Sequence, residues 1–425
     1  MIDKLLCKLD VSKTPYHAVR EAETELKSNG FIELKETEKW RLAKGGKYYV
    51  IRDGSALVAF RIGENYSFAI VASHTDSPCF KLKLNAENAS AGCVKLDVEK
   101  YGGGLLYTWL DAPLKIAGRI ISEKEGRITS RIAEFEENFV IPSVAIHFNR
   151  NANDGIKFNP QVDMQALAAL GSVAGDIVKR AENEEKYGKT LDYDLFLTAA
   201  QKPFPFGFNN EFVCSPRVDN LTSVFASVSG IINCVPECFP VIFLADNEEV
   251  GSRTKQGAGS TFLKDVLYRI NSVLGKTDED FRISLGNSFL VSCDNAHAVH
   301  PNHPELSDPD NKTLLGGGVV IKHHANQNYT TDAFSSAAFK YVLDRAGVKR
   351  QDFFMRSDLP SGGTLGAISS SQVSVRSVDI GMPQLAMHSY AETFAAADYL
   401  ETEKGLTAFL SSDFSADGYD KITVK

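Results

Sequence analysis

Two adjacent carboxylates, Glu248 and Glu249, follow an apolar strand pattern in Phe243-Leu244-Ala245-Asp246-Asn247-Glu248-Glu249-Val250-Gly251-Ser252. Adjacent side chains leave the backbone in different directions. One carboxylate can therefore hold a metal while its neighbour stands beside a water as a base, the division of labour that metal-assisted hydrolysis needs. An acidic pair at a strand end is, alone, an ordinary solvated turn. Four further segments give it weight.

In Ile70-Val71-Ala72-Ser73-His74-Thr75-Asp76-Ser77-Pro78 an apolar strand again ends in polar residues. His74 can offer an imidazole nitrogen to zinc, and Asp76 can accept from the other ring nitrogen and fix the tautomer. Asp219, in Ser215-Pro216-Arg217-Val218-Asp219-Asn220, precedes a helical pattern of Leu221, Val224, Phe225, Val228, Ile231 and Ile232. It is either the cap of that helix or a carboxylate shared by two cations. A third strand pattern ends at Asp294, a ligand candidate, with His297, His300 and His303 close behind as structural or supporting groups. His388 lies between an apolar stretch and a helix carrying Phe394, Tyr399 and Leu400; a lone histidine there is also compatible with a purely structural role.

The elements that must position these residues are those of an α/β protein. Residues 1 to about 45 read as mostly helical, followed by strands at Lys47–Arg52, Ala56–Ile62 and Phe68–Ser73. The texture then changes. Short strands at Val94–Val98, Leu114–Ile121 and Ile128–Ile132 surround one helix at about Met164–Ala181, and Lys202–Phe208 reads as an irregular return. From Asp219 onward helices and strands alternate, as in a mixed sheet covered on both faces. The expected fold is α/β, a mixed helix-covered sheet interrupted by an inserted β-rich domain. Residues 1–85 with 211–425 form the catalytic part and 86–210 the insert.

Composition agrees. A chain of 425 residues with 43% hydrophobic and 24% charged residues is ordinary for a globular protein of two domains. Its net charge of −8 argues against nucleic acid as a partner. No apolar run reaches the ~20 residues of a membrane span. The first residues carry acids and bases where a signal peptide has an apolar core. Seven cysteines, with no Cys-x-x-Cys pair, read as reduced thiols of a cytoplasmic protein.

Taken together the segments resemble the aspartyl aminopeptidase family of zinc metallopeptidases, nearly end to end. The resemblance rests on Pro15-Tyr16-His17-Ala18, His74-Thr75-Asp76-Ser77-Pro78, Tyr101-Gly102-Gly103, Thr108-Trp109-Leu110-Asp111, Arg217-Val218-Asp219-Asn220 and Asp246 to Ser252. Its most specific parts are Ala296-His297-Ala298-Val299-His300-Pro301-Asn302 and Ala386-Met387-His388-Ser389. The resemblance implies a fold of zinc-exopeptidase type with the insert as an oligomerisation domain, and two Zn²⁺ per subunit; mixed His and carboxylate ligation leaves Mn²⁺ or Co²⁺ as alternatives at one site. His74 and Asp294 would hold one ion, Glu249 and His388 the other, and Asp219 would bridge. Each zinc then has three protein ligands, leaving a place for water. Glu248 is implied as the base that activates a bridging water; Asp76, read from its spacing as the group that orients His74, counts with it among the catalytic residues.

The same resemblance implies peptide substrates, release of the N-terminal residue, and a preference for Asp or Glu. Lys322 and Tyr329 match the substrate-binding positions, and the neighbouring His323 and His324 depart from the pattern. The insert is implied to mediate homodimers and a tetrahedral homododecamer, with His147 reaching a neighbouring subunit's site. From its own surroundings His147 reads as a strand residue. Leu359 to Gly366 is rich in glycine but lacks phosphate-loop spacing. The alternatives are a dizinc amidohydrolase acting on a non-peptide acyl amide and a non-catalytic assembly or cargo-binding particle. An intact base and five ligands argue against the latter.

Overall fold

The computed structural model describes residues 2–171, 177 and 184–425. Its centre is a nine-stranded sheet that runs, edge to edge, Ile32–Glu33, Lys47–Arg52, Ala56–Arg61, Phe239–Ala245, Phe68–His74, Phe289–Cys293, Arg376–Gly381, Val319–His323 and Arg350–Phe354. The four strands from Phe239–Ala245 to Arg376–Gly381 are parallel to one another, so their carboxyl ends share one edge. Side chains alternate between two cores, as a pleat covered on both faces demands. Ala69, Val71, Ile242 and Leu244 pack toward helices Val218–Asn233 and Ala396–Leu410. Phe68, Ile70, Val241 and Phe243 pack toward helix Phe262–Val273.

A second sheet is antiparallel throughout. Its order is Arg127–Glu134, Leu114–Lys124, Lys189–Ala199, Cys79–Ser90, Cys93–Tyr101 and Ala166–Leu170, and it encloses a separate core around Phe80, Trp109, Ile116 and Leu195. The antiparallel sheet is thus inserted into the mixed α/β sheet, as the sequence pattern implies. The helix expected from Met164 differs: Ala166–Leu170 is an edge strand paired with Cys93–Leu96. The rest of that expectation falls largely on residues outside those described. Alternating small and apolar residues at 166–170 suit a pleated edge as well as a helical face, and tertiary pairing decided.

A third sheet joins segments far apart in sequence: Phe204–Phe206, Phe212–Ser215, Glu392–Ala395, Pro383–Leu385 and Ala296–His297. The return at 202–208, expected to be irregular, therefore contributes a short strand. This small sheet sits where the chain approaches Asp219, leaves Asp294 and approaches His388.

Gly381 fits that junction because it has no side chain. A Cβ there would lie 2.2 Å from the Asp294 carbonyl oxygen and 2.9 Å from Ala296 N. Gly381→Ala is expected to destabilise the chain by about 1–3 kcal/mol, the usual cost of overpacking. Urea denaturation measures it, and an unchanged midpoint would show that the junction is not tightly held.

Candidate metal centre and substrate cavity

Register brings the first ligand candidates together. Ala245 is paired with His74 and Ser292 with Ala72, so His74, the 246–249 turn and Asp294 emerge side by side at the carboxyl edge. Asp219 comes from the first turn of Val218–Asn233, where Asp219 and Asn220 are non-helical and joined by a cis peptide. Asp219 is thus no simple cap. His388 lies in the loop after Pro383–Leu385.

Nε2 of His74 is 3.5 Å from Asp219 Oδ1 and 3.4 Å from Asp294 Oδ1. Nε2 of His388 is 3.3 Å from Asp219 Oδ2 and 3.2 Å from Glu249 Oε1. Asp219 therefore offers one oxygen to each imidazole. His74, Asp219 and Asp294 form one cluster of potential ligand atoms within 4.8 Å, and Asp219, Glu249 and His388 form another; His74, Glu248 and Glu249 meet the same limit. Glu249 lies against His388, whereas Glu248 makes no ion pair among the described residues. Two buried oxygens, Asp219 Oδ1 and Glu249 Oε1, accept no hydrogen bond of good geometry although an imidazole Nε2 lies beside each. Unsatisfied carboxylate oxygens converging with imidazole nitrogens are the donor set of zinc.

Both imidazoles are aimed through their other nitrogen. His388 Nδ1 is 3.2 Å from the Gly103 carbonyl oxygen, and His74 Nδ1 is 3.0 Å from the backbone oxygen of Asp76. The Asp76 carboxylate, expected to take that proton, is farther away at 3.4 Å. It is occupied elsewhere. Its two oxygens accept from Glu248 N and Glu249 N, each at 3.1 Å, and Tyr101 OH donates to it at 2.8 Å. Asp76 thus holds the backbone from which both glutamates project, and Tyr101 ties that clamp to the inserted sheet.

Sequence reasoning missed a second clamp. Glu392 accepts from Asp219 N at 2.9 Å and from His388 N at 2.7 Å, locking the residues that bear two candidate ligands. The available signal was its place four residues beyond His388. Its other partner is too distant in sequence for spacing to reveal.

Crowded carboxylates govern the electrostatics. Burial opposes charging of His388, but the adjoining Asp219 and Glu249 carboxylates outweigh it and lift its pKa to about 11. His74 is likewise raised well above the usual imidazole value, burial being overcome by Asp219, Asp294 and Asp76. Burial pushes Glu248 up to about 8; the His74 charge opposes this, and Asp294 and Glu249 add to it.

A cavity of about 300 Å³ opens on the cluster, lined by His74, Glu248, Asp294, Lys322, Tyr329 and Thr364 among others. Lys322 is only 3% exposed, donates to the Asn295 carbonyl oxygen at 3.1 Å and sits 5.1 Å from the Tyr329 ring centroid. His297, expected to play a supporting role, is on the cavity wall. His300 and His303 are exposed turn residues. His323 turns away from the cavity, stacks on Phe354 and meets Asp352 at 2.8 Å, with His324 lining the same outer hollow. His147 is not brought to this cavity. It lies exposed in a turn closed by Phe148 N to Ala145 O, not in a strand. Its apolar neighbours Val144, Ile146 and Phe148 are exposed too, so the period-two pattern there serves no sheet.

An α/β scaffold with paired His–carboxylate clusters at its carboxyl edge is the plan of a metallohydrolase. The model of the family described as aminopeptidase I zinc metalloprotease (M18) matches residues 9–410. The chain belongs to this M18 family of zinc metallo-aminopeptidases. It is 41% identical over 423 residues to a probable M18 family aminopeptidase 2 of Clostridium acetobutylicum, covering 96% of this chain and 97% of the relative. A protein of the same description from Clostridium novyi is 43% identical over 414 residues, covering 93% and 95%. Among solved structures, the chain resembles one from a cryo-EM complex of Ape4 and Nbr1, with a TM-score of 0.92, 34% identity and coverage of 96% and 85%. It resembles the mApe1 dodecamer of S. cerevisiae with a TM-score of 0.82, 26% identity and coverage of 96% and 95%. An M18 aminopeptidase of Thermotoga maritima shares the fold, with a TM-score of 0.86, 23% identity and coverage of 96% and 95%. No helix among the described residues is long and apolar enough to cross a membrane.

With raised pKa values, both imidazoles carry a proton at neutral pH in the metal-free chain, and each must lose it to ligate through Nε2. Zinc uptake is expected to release protons and to tighten as the pH rises from about 6 to about 8. Calorimetric titration of metal-free protein in buffers of different ionisation enthalpy measures this. Uptake without proton release would exclude the two histidines as ligands.

Proposed function

We propose that the chain releases N-terminal Asp and Glu from peptides, using two zinc ions and Glu248 as the base. The observation that carries the acidic preference is Lys322. Its ammonium is buried, has no carboxylate within ion-pair distance among the described residues, and lines the cavity that holds Glu248. A buried cation without a counter-ion is costly unless a ligand supplies one.

In this reading His74 and Asp294 would hold one zinc and Glu249 and His388 the other, with Asp219 available to both. The two oxygens of Asp219, each beside a different imidazole, support that division. Manganese or cobalt would suit the same His and carboxylate donors at one position. When bound, the metal supplies Lewis-acid polarisation of the scissile carbonyl and lowers the pKa of the attacking water. Glu248 accepts a proton from that water as the new C–O bond forms. It returns the proton to the amine nitrogen as the C–N bond breaks. Asp76 keeps Glu248 in place through the backbone, and its role is positioning.

Residues 1–85 and 211–425 act as the catalytic body in this proposal and 86–210 as the assembly part, with strand Cys79–Ser90 running across the junction. The exposed turn with Val144, Ile146, His147 and Phe148 suits contact with another copy, as in homodimers and a homododecamer, where His147 enters a neighbour's site. His147→Ala is then expected to lose turnover while keeping its zinc, as measured by metal analysis beside a rate assay. Wild-type turnover would remove His147 from the site.

The central test is hydrolysis of Asp, Glu, Leu, Lys and Ala amides by the zinc-loaded protein. Asp and Glu amides are expected to react best. Glu248→Gln should lose about 10²–10⁴-fold in rate with zinc retained. Lys322→Met should erase the acidic preference. Equal rates on Leu and Asp amides in the wild type would defeat the specificity, and an active Glu248→Gln would defeat the mechanism.

A further inference from the structure

Asp379 is a buried carboxylate that the chemistry above does not use. It lies in strand Arg376–Gly381, fully buried, and forms no ion pair among the described residues. Ionised carboxylates survive burial only when their oxygens are satisfied. Here the donors come from two separate loops. Thr330 gives both its backbone N–H, at 2.6 Å, and its hydroxyl, at 2.8 Å, to Oδ2. The Thr364 hydroxyl reaches Oδ1 at 2.6 Å. In return Asp379 N donates to the Thr331 hydroxyl at 2.9 Å.

Those two loops form part of the cavity wall. One carries Tyr329 immediately before Thr330; the other carries Gly362 and Gly363 immediately before Thr364, and all of these except Thr330 line the cavity. They also touch each other, Asn328 Nδ2 donating to the Ser361 carbonyl oxygen at 3.1 Å and Ser361 Oγ to Tyr329 OH at 3.2 Å. The approach to Asp379 is tight. A Cβ on Gly366 would lie 2.7 Å from Asp379 Oδ1, so the helix beginning at Leu365 comes this close only because that position is glycine.

Lys322 belongs to the same arrangement. It is the cross-strand partner of Asp379, and directly paired residues in a sheet project from the same face. The negative charge of Asp379 therefore lies near the Lys322 ammonium without capturing it. The ammonium is left on the Asn295 carbonyl and the Tyr329 ring, with a free side toward the cavity.

We propose that Asp379 is the positioning residue of the substrate pocket: it fixes the Tyr329 and Gly362–Thr364 loops, and sets the local charge around Lys322, so that the pocket fits the anionic side chain of a substrate's first residue. This rests on the reading of Lys322 as the cation that meets that side chain. The hydrogen bonds of Asp379 go to Thr330, Thr331 and Thr364 and, among the described residues, none to the proposed ligands or Glu248, so its loss acts on substrate capture and spares the chemical step.

The test is steady-state kinetics of zinc-loaded Asp379→Asn on Asp, Glu and Leu amides, with zinc content measured on the same samples. KM for the acidic amides is expected to rise about tenfold or more, with kcat within about threefold of wild type and zinc unchanged. An unchanged KM, or a collapse of kcat with loss of zinc, would overturn the proposal. If Asp379→Asn does not fold, Thr330→Val removes a single hydroxyl bond; a KM rise of about two- to fivefold supports the proposal and none overturns it. Lys322→Met, assayed in parallel, separates the two readings. If it leaves the acidic preference intact while Asp379→Asn raises KM, the cation assignment falls and the positioning role of Asp379 stands.

Discussion

Repulsion among Asp219, Glu249 and Asp294 is the constraint around which the site is built. All three are nearly excluded from water, and Asp219 raises the cost of charging Glu249. Two protonated imidazoles partly offset this in the metal-free chain, and divalent cations would offset it more fully. No lysine or arginine forms an ion pair with these three carboxylates among the described residues. The protein adds two more carboxylates behind them. Asp76 and Glu392 spend oxygens on backbone N–H groups of Glu248, Glu249, Asp219 and His388, so each holds two cluster residues at once. Order in the cluster is thus obtained with hydrogen bonds to main chain, which cost no competing positive charge.

This arrangement explains the need for three sheets. The parallel strands deliver His74, the Glu248–Glu249 turn and Asp294 to one edge, as open α/β sheets do for ligands generally. They do not deliver Asp219 or His388. The small third sheet does that by pairing Ser215 with Glu392 and Leu385 with Thr393. The inserted sheet supplies Tyr101, which ends its strand on Asp76.

Much of this could be read from the sequence, for a physical reason. A strand buried on both faces is a continuous apolar run, and a polar residue at its end is conspicuous; His74, Glu248, Glu249 and Asp294 are all of this kind. Asp219 and His388 needed the family resemblance, since nothing in their local pattern separates a ligand from a cap or a core histidine. Glu392, Tyr101 and the Asp76 clamp were not legible. They act on backbone groups or across sheets, and no periodicity encodes such partners. The strand at Ala166–Leu170 and the turn at His147 failed for the related reason that edge position and tertiary pairing outweigh local propensity.

The candidate ligands extend from His74 to His388 along a chain of 425 residues, with the whole inserted sheet folded between the first and second. Synthesis from the N-terminus therefore completes both halves of the cluster only when the last helix is about to follow. A growing chain that has not reached His388 holds some of the candidate groups but not the set. The order of the residues along the chain therefore makes the paired cluster a late product of synthesis.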